Sequence, residues 1–186
     1  MFSEFAKVSS ATWGVIVALL LVGIVVFAVS KDKKRWTARM LANGALCIAL
    51  STVLSFITLY KMPQGGSITL ASMLPMFLFA YAYGVGPGML VGAAYGFVQF
   101  LQGGLYFVHP VELLLDYPLA FAMLGLAGLS NKFSDQWGMI PGIILGTFGR
   151  FVCAFLSGLI FFGMYAPEGQ NVVIYSMVYN GLYLVP

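Results

Sequence analysis

Pro110-Val-Glu-Leu-Leu-Leu-Asp-Tyr-Pro-Leu-Ala-Phe-Ala-Met-Leu-Gly-Leu-Ala-Gly128 is an apolar run that carries two carboxylates, Glu112 and Asp116. About twenty residues at 1.5 Å each cross a hydrocarbon core of roughly 30 Å, so the run reads as a membrane span from about Val111 to Leu129. An ionisable group held in lipid is expensive and usually marks a ligand or ion site. Charged residues make up 8% of the chain and hydrophobic ones 61%, so each carboxylate inside a span needs a reason. Asp116, well inside this one, is where the function is sought.

Working outward, six further apolar segments appear among the 186 residues. They run from about Thr12 to Ser30, Arg39 to Tyr60, Ile68 to Tyr83, Pro87 to Leu101, Ile140 to Phe162 and Val172 to the end. Short breaks rich in Gly and Pro separate them, which is ordinary turn chemistry. The chain is therefore expected to be an all-α, multi-pass membrane protein. The stretch from Thr12 to Ser30 lacks the strongly basic leader and small-residue cleavage site of a signal peptide, and reads as a true helix. The last segment stops abruptly at Leu184-Val-Pro186, like a helix cut short.

Orientation follows from the cations. Lys31, Lys33, Lys34, Arg35 and Arg39 form the densest basic cluster, which assigns that loop to the cytoplasm. Alternation then puts the loops at Gln64, Tyr106 and Glu168 outside and returns Lys132 inside, with Lys61 a mild dissent. A net charge of +3 dispersed in loops gives no nucleic-acid signal. Cys47 and Cys153 fall inside predicted helices and read as packing residues rather than a disulfide framework.

Small residues at four-residue spacing let helices approach closely in lipid. Gly84, Gly88, Gly92 and Gly96 form one such row, and Gly142 with Gly146 another; both read as packing inside the bundle. Ala38 with Ala42, and Ala45 with Ala49, could equally face a partner subunit.

Glu112 and Asp116, four apart, share a helical face near the outer end. An enzyme reading would use them with His109 as acid-base groups, but no activated nucleophile accompanies them, and one histidine cannot build a His cluster for metal. Arg150, Ala154 and Gly158 share a face of the sixth segment. Arg150 lies about 12 Å from Gly158 along the axis, and reads as a structural counter-charge rather than a ligand contact. Tyr106, Tyr117, Tyr165, Tyr175 and Tyr179 fall near the outer level, where an interfacial aromatic belt is the plain alternative. Asn180, an amide within a lipid-crossing helix, needs a partner. A purely structural subunit would leave Asp116 and Asn180 unexplained. An anion, an amide, hydroxyls and ring faces together suit a flat, cationic, hydrogen-bonding small molecule. No Walker motif or charge relay is present, so another subunit would drive any transport cycle.

Several blocks carry a resemblance. They are Met62-Pro-Gln-Gly-Gly-Ser, His109-Pro, Leu114-Leu-Asp-Tyr-Pro-Leu-Ala-Phe, Arg150-Phe-Val-Cys, Ser157-Gly-Leu-Ile-Phe-Phe-Gly, Tyr165-Ala-Pro-Glu-Gly, Tyr175-Ser and Tyr179-Asn. Over about Ala38 to Pro186 the chain resembles the thiamine-specific substrate-binding component (S component, the ThiT family) of energy-coupling-factor vitamin transporters. The resemblance implies a six-helix S-component bundle over residues 31–186. Residues 1–30 would form an additional N-terminal transmembrane helix, with the N-terminus outside, and the last helix would be truncated. It implies a thiamine pocket at the extracellular side. Asp116 would hold the aminopyrimidine, with Tyr117, Tyr106, Gly158, Tyr175 and Asn180 at pocket positions and Phe162 where some members place a tryptophan over the thiazolium. The loop from Met62 to Ser67 would cover the pocket. Ala42, Ala45 and Ala49 would meet the transmembrane coupling subunit of a module with two ATPase subunits, which use the ATP. The loaded subunit would reorient in the membrane as ATP is turned over. The chain itself would need no cofactor or metal and perform no catalysis, and it would reside in the bacterial plasma membrane. The family usually has a histidine where Ala154 stands, so a thiamine precursor or another vitamin is the alternative ligand.

Overall fold

A computed structural model describes residues 36–62, 66–103, 110–132, 137–162, 165, 167 and 170–184. The helix expected over residues 1–30, the basic cluster at 31–35, and Tyr106 and His109 lie outside the described residues.

Among the described residues, six helical rods follow one another. Helix α1 (Ala38–Phe56) starts at Thr37, whose Oγ1 accepts the Met40 N–H at 3.2 Å. This is ordinary N-capping of an orphan amide. Its inward face carries Met40, Gly44 and Ser51, whereas Ala38, Ala42, Ala45 and Ala49 are exposed. Strands β1 (Thr58–Lys61) and β2 (Ser67–Thr69) then form an antiparallel hairpin that pairs Thr58 with Thr69 and Lys61 with Ser67.

Helix α2 (Leu74–Tyr83) places Pro75 in its first turn, where no amide partner is lost. Gly84, with φ 96° and ψ 176°, ends α2 and starts α3 (Val85–Gln102). Only this glycine makes the break; Pro87 sits in the first turn of α3 and does not interrupt it. The reading of Ile68 to Tyr83 as one span is corrected. Ser67-Ile-Thr, with β-branched Ile68 and Thr69, pairs with β1, so the helix begins six residues later, at Leu74.

The fourth rod, α4, carries the opening sequence and is not uniform. It is α-helical over Pro110–Leu114, π-helical over Leu115–Leu119, α-helical again over Ala120–Ala122, and 3₁₀ over Met123–Lys132. A 3₁₀ helix has three residues per turn, so its side chains fall into three stripes. Leu124, Ala127 and Ser130 make one, at 0, 0 and 2% exposure. It faces Gly142 and Gly146 of α5 (Met139–Phe161). Gly125 and Gly128 make the second, against the backbone at Gly84, Val85, Gly88 and Met89 where α3 begins. Met123 and Leu126, the third, meet Gly149 of α5, and Leu129 is exposed.

The glycine rows thus lie at backbone contacts inside the bundle. A Cβ at Gly92 would strike the Phe121 carbonyl, and one at Gly96 would strike that of Tyr117. Helix α6 (Val172–Leu184) closes the bundle beside α5. The main core joins Met40, Met76, Phe77, Phe79, Tyr95, Phe121 and Leu124 from the first four helices. Among the described residues, three rods are long and apolar enough to cross a membrane: Ala38–Phe56, Val111–Asn131 and Met139–Phe161.

Candidate functional site

Pro118 shapes the site. Proline has no N–H to give the carbonyl four residues earlier, and the helix there widens to a π turn in which the Ala120 N–H bonds the Leu115 carbonyl. Such single-turn π segments recur at functional sites. Asp116 and Tyr117 sit within the turn. Ser157 of α5, 1% exposed, donates its hydroxyl to Asp116 Oδ2 at 2.8 Å. Glu112 lies one turn earlier and is 4% exposed.

Both carboxylates face a cavity of about 840 Å³, within the size range of small-molecule sites. It opens at the end of the bundle where α1, α3 and α5 finish and α2, α4 and α6 begin, which the basic cluster assigns to the outside. Asp116, Tyr117, Gly158, Phe162, Tyr175 and Asn180 all line it. Tyr106 lies outside the described residues. The hairpin forms part of the wall through Thr58, Met62, Gly66 and Ser67.

On the far side, α6 comes close to α5 because position 158 is glycine. A Cβ there would collide with Ser176 Oγ and meet Asn180 Nδ2. Ser176 Oγ donates to the Phe155 carbonyl at 2.8 Å, and Asn180 Nδ2 donates to the Ser176 carbonyl at 2.9 Å. The amide that needed a partner in lipid therefore has one, which fixes its place beside the cavity. Tyr175 and Tyr179 hold their ring centroids 5.8 Å apart on the same face. Tyr117 meets Phe100 edge-on at 5.3 Å.

Arg150, read as a structural counter-charge about 12 Å from Gly158 along the axis, also lines the cavity. Its guanidinium carbon lies 4.1 Å from the centroid of the Phe121 ring, in cation–π geometry, and a terminal nitrogen reaches the Met73 sulfur. Along the α3 wall, Gln99 Nε2 donates to the Tyr95 hydroxyl at 2.5 Å, which donates to the Ser51 carbonyl at 3.1 Å. Ser55 Oγ lies 3.2 Å from Gln102 Oε1.

Sequence reasoning gave no role to Ser157, Gln99 or Gln102. Each is a polar side chain in an apolar helix, the same signal that exposed Asn180. Among the described residues, no group of three His, Cys, Asp or Glu gathers as metal ligands.

Comparison with known proteins fits this geometry. The sequence model of a family described as thiamine transporter protein matches residues 41–186. The chain is 36% identical over 155 residues to the thiamine transporter ThiT of Bacillus subtilis, covering 76% of this chain and 80% of that one. It is 32% identical over 123 residues to the thiamine transporter ThiT of Lacticaseibacillus paracasei, covering 59% and 61%. The solved structure of ThiT from Listeria monocytogenes superposes with a TM-score of 0.68 at 28% identity, covering 78% of this chain and 85% of that one. These relatives are named as transporters rather than enzymes. With the membrane-spanning helices and the family match over most of its length, the chain is a membrane protein that belongs to the thiamine transporter family.

Proposed function

We propose that this protein captures thiamine at the outer end of the bundle and hands it to an ATP-driven energy-coupling module, without chemistry of its own. The observation that carries this reading is the acidic turn at Asp116. There a carboxylate oriented by Ser157 faces a cavity bounded by the Phe162, Tyr117 and Tyr175 rings and by the Asn180 amide. A carboxylate pairs with an aminopyrimidine through charge-assisted hydrogen bonds, and ring faces attract a cationic heterocycle. In this reading Asp116 holds the aminopyrimidine and Phe162 stacks on the thiazolium. Ala42, Ala45 and Ala49 meet the transmembrane coupling subunit, whose two ATPase partners supply the energy.

Calorimetry on the detergent-purified protein tests it. Thiamine should bind tightly, and Asp116→Ala should weaken binding on the order of 100-fold, the worth of a charge-assisted bond to a buried carboxylate. A protein that binds no thiamine rules the assignment out. A second reading, a thiamine precursor or another vitamin as the ligand, is favoured by Ala154. It lines the cavity with a methyl group where the resemblance implies an imidazole. Side-by-side titration with the precursor rings decides between the two.

A further inference from the structure

The wall that α1 and α3 give the cavity carries hydrogen-bonding groups and no charge. Among the described residues, Ser55 comes from α1, and Tyr95, Gln99 and Gln102 come from α3. Gln99 and Gln102 are three apart and share one face of the helix. The direction of the Gln99 amide follows from its neighbours. The Ser51 carbonyl can only accept, so the Tyr95 hydroxyl gives its one proton there. Tyr95 can then only accept from Gln99, and the amide atom facing it is Nε2. That is the amide's one hydrogen bond among the described residues. Its carbonyl oxygen, Oε1, is left over as an acceptor on a side chain that lines the cavity.

Gln102, on the same wall, is short of partners at both ends. Ser55 has one hydroxyl proton, and its Oγ lies 2.7 Å from the Thr52 carbonyl and 3.2 Å from Gln102 Oε1. The nearer carbonyl takes the proton. Gln102 Nε2 is buried and has no hydrogen-bond partner among the described residues. A buried donor left unpaired costs more than a typical hydrogen bond contributes. The wall therefore holds one unmet acceptor and one unmet donor.

We propose that Gln99 and Gln102 form a subsite for an alcohol on the ligand: Gln99 Oε1 accepts from its O–H, and Gln102 Nε2 donates to its oxygen. The inference rests on the thiamine reading above. Outside its aminopyrimidine, which Asp116 takes in that reading, thiamine has one hydrogen-bonding group, the alcohol of its hydroxyethyl arm. An alcohol both donates and accepts, which complements the pair of amides. The terminal amide torsion is soft, so Gln102 can turn its N–H to the incoming oxygen. A ligand that displaces water from such a wall without replacing its hydrogen bonds loses affinity. The two polar walls then divide the ligand: the acidic turn of α4 reads the ring, and the amides of α3 read the arm.

The test uses calorimetry with two ligands: thiamine, and its deoxy analogue with an ethyl arm in place of the hydroxyethyl. Wild-type protein should prefer thiamine by about tenfold or more, the worth of one to two net hydrogen bonds. Gln99→Met keeps the length of the side chain and removes the amide. It should weaken thiamine binding by about three- to tenfold and leave the analogue within about twofold, and Gln102→Met should do the same. Equal losses for the two ligands in both variants would show a packing role and overturn the inference. So would a wild-type protein that binds thiamine and the deoxy analogue equally tightly, a result that needs no variant and leaves the thiamine reading standing. A wild-type protein that binds neither ligand overturns the thiamine reading itself, and this inference with it.

Discussion

Ser157 donates to Asp116 from a helix that also carries Arg150, Ala154 and Gly158, so one face of α5 sets both the orientation and the space of the pocket. Ala154 is the position to vary. It is 5% exposed and lines the cavity, and a histidine would add a ring and a hydrogen-bonding nitrogen there. Ala154→His should tighten thiamine binding by about tenfold, from added aromatic contact worth roughly 0.5–1.5 kcal/mol; an unchanged affinity by titration would put the ligand elsewhere in the cavity. Ser157→Ala should weaken binding by about three- to tenfold, because losing one net hydrogen bond costs about 1 kcal/mol. Thermal melting would separate that effect from lost stability. At this scale Asp116 and Asn180 were legible, since a polar group in lipid demands an explanation. The place of Arg150 was not, because distance along one helix axis says nothing of how far a long side chain reaches across a cavity.

Among the elements, the glycine rows make the sharpest contrast. Gly92 touches the Phe121 backbone, whereas a Cβ at Gly181 of α6 would meet nothing within 4 Å. Gly92→Ala should therefore cost about 1–3 kcal/mol through overpacking. Gly181→Ala should be neutral or stabilising by roughly 0.5–1 kcal/mol, from helix propensity alone. Melting temperatures in one detergent would read both, and equal shifts would contradict the close approach of α3 and α4. The row itself could be read from its four-residue spacing. The hairpin could not, because Ser67-Ile-Thr runs into the apolar stretch of α2 and hydropathy does not distinguish a short strand from a helix start. Nor could the 3₁₀ stretch be seen. Its residues carry no mark of the winding in sequence, and only the packing of its three stripes reveals the three-residue period.

For the molecule as a whole, the cavity and the proposed partner surface lie on different parts of the bundle. Ala42, Ala45 and Ala49 are exposed on α1, and none of them lines the cavity. Replacing Ala45 with Trp should abolish co-purification with the coupling subunit while leaving thiamine affinity within about twofold, since sites without shared contacts behave independently. Loss of both would mean that α1 also shapes the pocket. Six rods in alternating direction were legible from the apolar runs and short polar breaks. The irregular winding of the fourth was not. The ten residues of Met123–Lys132 rise about 2.0 Å each as a 3₁₀ helix rather than about 1.5 Å as an α-helix. That stretch is thus about 5 Å longer than the same ten residues would be as an α-helix. Rewinding that stretch as α-helix would shorten the rod by about one turn and would either draw Asp116 inward or lift the rod's inner end. The extended winding therefore works as a spacer, and the height of the acidic turn above the inner end is set by how tightly a segment far from the pocket is coiled.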